Sequence, residues 1–141
     1  MLLPERPSKT FTLSEANALL PKVVPIVQQL QQLHRSTMDT NRRLDEAVAK
    51  LAQGNGFPVP ALKQEIDDLT KRQLQLIEAF QSAHDQLEEL GCVLKDINSG
   101  LVDFYGLREG ELVCLCWKLG EDRIRFWHNL EDGFTGREPL D

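Results

Sequence analysis

Apolar residues in the first two thirds of the chain recur at alternating steps of three and four. One run is Val23, Ile26, Leu30, Leu33, Thr37, Thr40, Leu44, Ala47 and Leu51; the next is Val59, Leu62, Ile66, Leu69, Gln73, Leu76, Phe80, Ala83, Leu87 and Leu90. This spacing keeps one stripe of a helix turned towards a partner, as in a coiled-coil seam. Between the runs lies Gly54-Asn55-Gly56, residues that tolerate the left-handed backbone of a helix stop, and Pro58 and Pro60 suit a link or first turn. The pattern predicts two helices of about 30 residues, each roughly 45 Å long at ~1.5 Å per residue.

Folding the chain back at Gly54 to Phe57 sets Leu51 against Leu62, Ala47 against Ile66, Leu44 against Leu69 and Leu33 against Phe80. Leu30 then meets Ala83, Ile26 meets Leu87 and Val23 meets Leu90. Large residues face small ones, as interdigitating layers require. The polar interruptions Thr40 and Gln73 fall opposite each other, where a hydrogen bond between them would fix the register. Outside the seam, Val24, Val27, Met38, Leu74 and Ile77 add a second apolar stripe that a lone hairpin leaves in water. That stripe predicts a homodimer whose helices form a bundle.

Upstream, Thr12-Leu13-Ser14-Glu15 has the form of a capping box. A short helix from Leu13 to Leu20 is expected, then a bend near Pro21, because Pro21 and Pro25 oppose helical continuity.

After Gly91 the period changes to that of strands. Cys92 to Ile97 and Leu101 to Phe104 read as extended pieces around the turn Asn98 to Gly100, with a second turn at Arg108 to Gly110. The clearest strand pair is Leu112 to Lys118 with Arg123 to His128. Matching apolar residues pairs Trp117 with Ile124, Leu115 with Phe126 and Val113 with His128, leaving Cys114, Cys116 and Trp127 on the other face. Asn129 to Asp141 is expected to be a loop or arm. The fold class is therefore α+β: a long antiparallel helical hairpin followed by a small antiparallel sheet. One domain spans 1–141, with an N-terminal arm and short helix at 1–21, the hairpin at 22–90, and the sheet and C-terminal arm at 91–141.

Charge narrows the partners. Sixteen basic against 22 acidic residues give a net charge of −6, with no basic stripe for a phosphate backbone, so no nucleic acid partner is expected. No segment resembles a signal peptide or approaches the roughly 20 apolar residues of a membrane span, so a cytoplasmic protein with no membrane partner is expected. Three cysteines do not make a disulfide framework.

The segment from Gly100 to Arg137 carries the candidate chemistry. Cys114 and Cys116, with Cys92 and His128, would make a zinc set only if they shared a face. The pairing above puts His128 opposite both cysteines, so buried thiols, no metal and no cofactor are expected. Asp103, Glu121, His128, Asp132 and Arg137 fall at strand ends, where a rim cleft can form. There His128 would act as acid or base, Asp103 or Glu121 would orient it, and Arg137 would clamp an anion. The same residues equally suit a pin that holds an irregular tail, and Trp127 is a possible pocket aromatic. No phosphate loop or nucleophile elbow is present in the sequence.

With these motifs in view, the chain resembles an uncharacterised bacterial family, domain of unknown function 2203, over nearly its whole length. The resemblance is carried by FTLSEANALLP at Phe11 to Pro21, LGCVLKDINSGLVDF at Leu90 to Phe104, CLCWKLGE at Cys114 to Glu121 and FWHNLEDGFTGREPL at Phe126 to Leu140. It implies a helical front half and a glycine-, tryptophan- and histidine-bearing back half, and it implies no activity. A non-catalytic interaction or assembly protein is the leading expectation. The alternative is a small-ligand binder or small enzyme using Asp103, Glu121, His128 and Arg137.

Overall fold

The computed structural model describes residues 9–54 and 56–140. Residues 1–8 of the arm and short helix expected at 1–21, and the central Asn55 of the reversal, lie outside the described residues. Helix α1 spans Leu13–Gln53 and α2 spans Val59–Glu89. Strands β1 (Cys92–Asp96), β2 (Leu101–Arg108), β3 (Glu111–Lys118), β4 (Phe126–His128) and β5 (Glu138–Pro139) follow, with a 3-10 turn at Phe134–Gly136. The two helices pack antiparallel, and the strands form an antiparallel sheet in the order β1-β2-β3-β4-β5. The fold is α+β.

Helix α1 begins at a capping box: the Glu15 amide donates to Thr12 Oγ1 at 3.1 Å, and the Thr12 amide donates to Glu15 Oε1 at 2.9 Å. It ends at Gly54, whose φ of 71° is left-handed. The expected break at Pro21 does not occur, because α1 runs unbroken through Pro21 and Pro25. Each interior proline costs ~3 kcal/mol. Against this, Ala16 and Leu20 before Pro21, and Val23 and Val27 after it, are buried in one core cluster with the sheet. Burial of each larger side chain is worth ~1.5–3 kcal/mol. Both prolines face solvent, so their rings leave this packed stripe undisturbed.

The cluster shared by hairpin and sheet takes Ala16, Leu20, Val23, Val27, Leu30, Ala83 and Leu87 from the helices. Cys92, Val102, Phe104, Leu115, Trp117 and Ile124 come from the back half. Farther along the hairpin, Thr40, Ala47, Leu62, Leu69 and Leu76 are also buried. The expected hydrogen bond between Thr40 and Gln73 is replaced by one from Gln73 Nε2 to Asn41 Oδ1, 2.8 Å long. The amide of Gln73 thus reaches the flank of the seam, and Thr40 is enclosed beside it.

The sheet corrects a third expectation. Strand β3 pairs Cys114 with His128, Leu115 with Trp127 and Cys116 with Phe126, one residue away from the register derived from apolar matching. Residues 123–125 do not extend the strand. The Ile124 amide donates instead to Asn17 Oδ1 on α1 at 2.8 Å, and Glu121 closes a turn by accepting from the Lys118 amide at 2.7 Å and the Trp117 indole at 3.0 Å. Because strand side chains alternate, a one-residue slip moves every β4 side chain to the other face. Trp127 therefore joins Trp117 on the hairpin side, where it packs against the core under the Arg108 guanidinium. Phe126 and His128 turn away from the hairpin. The tail is also more ordered than a loop: β5 pairs with β4 at its edge.

Candidate functional site

The sheet face turned away from the hairpin carries Asp103 from β2, Cys114 and Cys116 from β3, and Phe126 and His128 from β4. Cys92 pairs with Phe104 and lies on the hairpin side, so the three cysteines do not share a site. Asp103 and His128 are buried, with side-chain exposures of 0% and 3%. A buried carboxylate needs a charged or hydrogen-bonding partner, and here the partner is imidazole: His128 Nε2 lies 3.1 and 3.0 Å from the two Asp103 oxygens.

The other ring nitrogen fixes the tautomer. His128 Nδ1 is 2.7 Å from the Asn129 carbonyl oxygen. A carbonyl only accepts, so Nδ1 carries a proton and donates. Nε2 is thereby the ring nitrogen turned towards the Asp103 carboxylate.

Cys114 completes this group. The donor atoms of Asp103, Cys114 and His128 all lie within 4.8 Å of one another, and all three residues are buried. Burial pushes the Cys114 thiol up to about 12, and the nearby negative charge of Asp103 adds to the effect. Cys116 is pushed to about 12 by the same causes, with Arg137 acting in the opposite direction. Cys92 reaches about 12 through burial alone, partly offset by Lys9.

Arg137 and Glu121 form a neighbouring but distinct pair. Arg137 Nη2 donates to Glu121 Oε1 at 2.7 Å and to the Cys116 carbonyl at 3.2 Å. Its guanidinium stacks over Phe126, 4.1 Å from the ring centroid, and lies 4.9 Å from that of Phe134. Its Nε is buried without a hydrogen-bond partner. The five rim candidates are thus divided. Asp103 and His128 are in contact, Arg137 is committed to Glu121, and Asp132 lies in the segment that crosses the first pair.

That segment, residues 130–134, together with Lys95, Leu101, Asp103 and His128, lines a partly open cavity of about 370 Å³. A larger hollow of about 460 Å³ beside Asn17, Leu20, Pro21, Val24 and Arg123 contains neither histidine nor cysteine. The buried carboxylate–imidazole pair lines the smaller cavity. Trp127, the expected pocket aromatic, does not line it. Sequence reasoning identified Asp103 and His128 but missed Cys114 as their neighbour and the Asn129 carbonyl as the second partner of His128. The Cys114-x-Cys116 and Phe126-x-His128 alternations carried that signal and were read one residue out of step.

Fold and site together define a two-layer α+β protein in which a long helical hairpin supports a sheet with a buried carboxylate–imidazole–thiol group on its outer face. The chain belongs to the DUF2203 family of uncharacterized conserved proteins, whose family model matches residues 9–140. No curated protein and no solved structure matches it.

Proposed function

We propose that this protein is a non-catalytic interaction or assembly protein that homodimerises through its helical hairpin. The observation that carries this reading is an apolar stripe covered at one end of the hairpin and bare at the other. With Val23 and Leu30 at heptad position a, Val24 and Met38 fall at b and Val27 and Val48 at e. On α2, Leu74 is b and Ile77 is e. Positions b and e flank the same side of a seam, and in an antiparallel pair these sides of the two helices coincide.

The sheet occupies this side near the helix termini, where Val27 is fully buried and Gln31 donates to the Ile97 and Asn98 carbonyls. Farther out, Met38, Val48, Leu74 and Ile77 remain 58%, 49%, 57% and 54% exposed. A second copy presenting the same stripe about a two-fold axis covers all four on both chains. Light scattering should give twice the 16.0 kDa chain mass at micromolar concentration, and Leu74→Lys with Ile77→Lys should return a folded monomer. A well-behaved wild-type monomer overturns the reading. The three free cysteines suit a reducing compartment, which supports a cytoplasmic location. No helix among the described residues is long and apolar enough to cross a membrane.

A second reading, a small-ligand binder, is favoured by the cavity that Asp103 and His128 line. It narrows to those two residues, since Glu121 already neutralises Arg137.

A further inference from the structure

Three chemically different metal donors converge on the outer face of the sheet. Asp103, Cys114 and His128 stand on the adjacent strands β2, β3 and β4, so backbone pairing holds their spacing. Their donor atoms lie within 4.8 Å of one another and none is on the surface. A tetrahedral ion with bonds of roughly 2.0–2.3 Å wants its donors about 3.5 Å apart. Side-chain rotations on the paired strands would have to close the remaining difference.

Two independent features favour an ion over a purely structural pair. The Nδ1–H of His128 is tied to the Asn129 carbonyl at 2.7 Å. This is the outer hydrogen bond that metal-ligating histidines commonly make, and it leaves Nε2 as the ligating atom. The second is charge matching in the filled site: one carboxylate, one thiolate and a neutral imidazole balance a divalent ion, so the complex buries no net charge.

We infer that Asp103, Cys114 and His128 bind one divalent transition-metal ion of the zinc class, with the Asn129 carbonyl orienting His128. The mixed oxygen, nitrogen and sulfur set suits zinc or cobalt over calcium or magnesium, which take oxygen ligands. On binding, the Cys114 thiol loses its proton to solvent and its sulfur bonds the ion. His128 Nε2 and an Asp103 oxygen bind through lone pairs, any proton between them passing to solvent. The fourth position opens towards the cavity that Asp103 and His128 line, where water or a small anionic molecule can enter. This inference gives the second reading its ligand and stands apart from the dimer, which is tested by mass.

Titration of the full chain with Co²⁺, followed by competition with Zn²⁺, tests it. One equivalent of Co²⁺ should produce thiolate-to-cobalt charge transfer in the near ultraviolet, with Zn²⁺ abolishing the absorption. Cys114→Ser, which keeps the shape of the side chain, should remove the charge-transfer band and weaken Co²⁺ binding by more than the ~10–100-fold cost of an outer-shell change. Cys92→Ser, on the other side of the sheet, should leave both unchanged. Absence of charge transfer with the folded wild-type chain, or a band that survives Cys114→Ser, overturns the assignment.

Discussion

His128 and Asp103 are held face to face on the outer side of the sheet, Nε2 lying 3.1 and 3.0 Å from the two carboxylate oxygens and both side chains excluded from water. Removing one member strands the other. Asp103→Ala should destabilise the fold by ~3–5 kcal/mol, as expected when a buried pair loses a partner. Asp103→Asn should cost clearly less, because its amide can donate to a neutral Nε2 while Nδ1 keeps its bond to Asn129. Urea denaturation of the two variants, with the Asp103→Ala/His128→Ala double variant less damaging than the sum of the singles, checks the coupling. Additive losses would show that the pair does not act as a unit.

The cysteines make stability depend on alkaline pH. Cys92, Cys114 and Cys116 are each raised from an ordinary thiol value of 9.0 to about 12, with burial as the leading cause. The folded chain thus retains thiol protons that the unfolded chain releases. The stabilisation is complete below about pH 9 and is lost as pH rises towards 12. Thermal melts between these limits should show a falling midpoint, with a shallower fall in Cys114→Ser. At pH 8 a thiol reagent should label the folded chain far more slowly than the urea-unfolded chain.

Pro21 and Pro25 face solvent within an unbroken helix. Replacing either by alanine restores an amide donor and relieves the ring's clash with the preceding turn. The gain of ~3 kcal/mol in helix propensity is reduced by ~0.4–1 kcal/mol through the greater freedom of the unfolded chain. Each variant should therefore be more stable by roughly 2 kcal/mol in urea titration. Lower stability would mean that the prolines shape the helix to fit the sheet.

The helical half was legible because its determinants are local and repeated: the three-four spacing, the Thr12–Glu15 box and the stop at Gly54 each point to one outcome. The prolines misled because their cost is local, whereas the packing of Leu20 and Val23 that outweighs it comes from the sheet. The β4 register was less legible. Leu115 finds an apolar partner whether it meets Phe126 or Trp127, so hydrophobic matching does not choose between them. The choice rests on contacts distant in sequence, above all the Ile124 amide bonded to Asn17. The site depended on that choice. One residue of slip separated His128 from Cys114, and Asp103, Cys114 and His128 come together only in the register the fold adopts.

Arg137 distinguishes a pinned tail from a free anion clamp. Its side chain is only 11% exposed, is paired with Glu121 at 2.7 Å and stacks on Phe126, so it fastens the C-terminal segment across the face that holds Cys114 and Cys116. Arg137→Ala should release this segment. Hydrogen exchange should rise in residues 134–140, and labelling of Cys114 and Cys116 should accelerate, while Cys92 on the hairpin side stays protected. Arg137→Lys should restore only part of the protection, because a lysine can replace the charge but not the planar stack together with two directed hydrogen bonds. Unchanged exchange and labelling in Arg137→Ala would free this residue from the structural role and return it to the list of ligand-binding candidates.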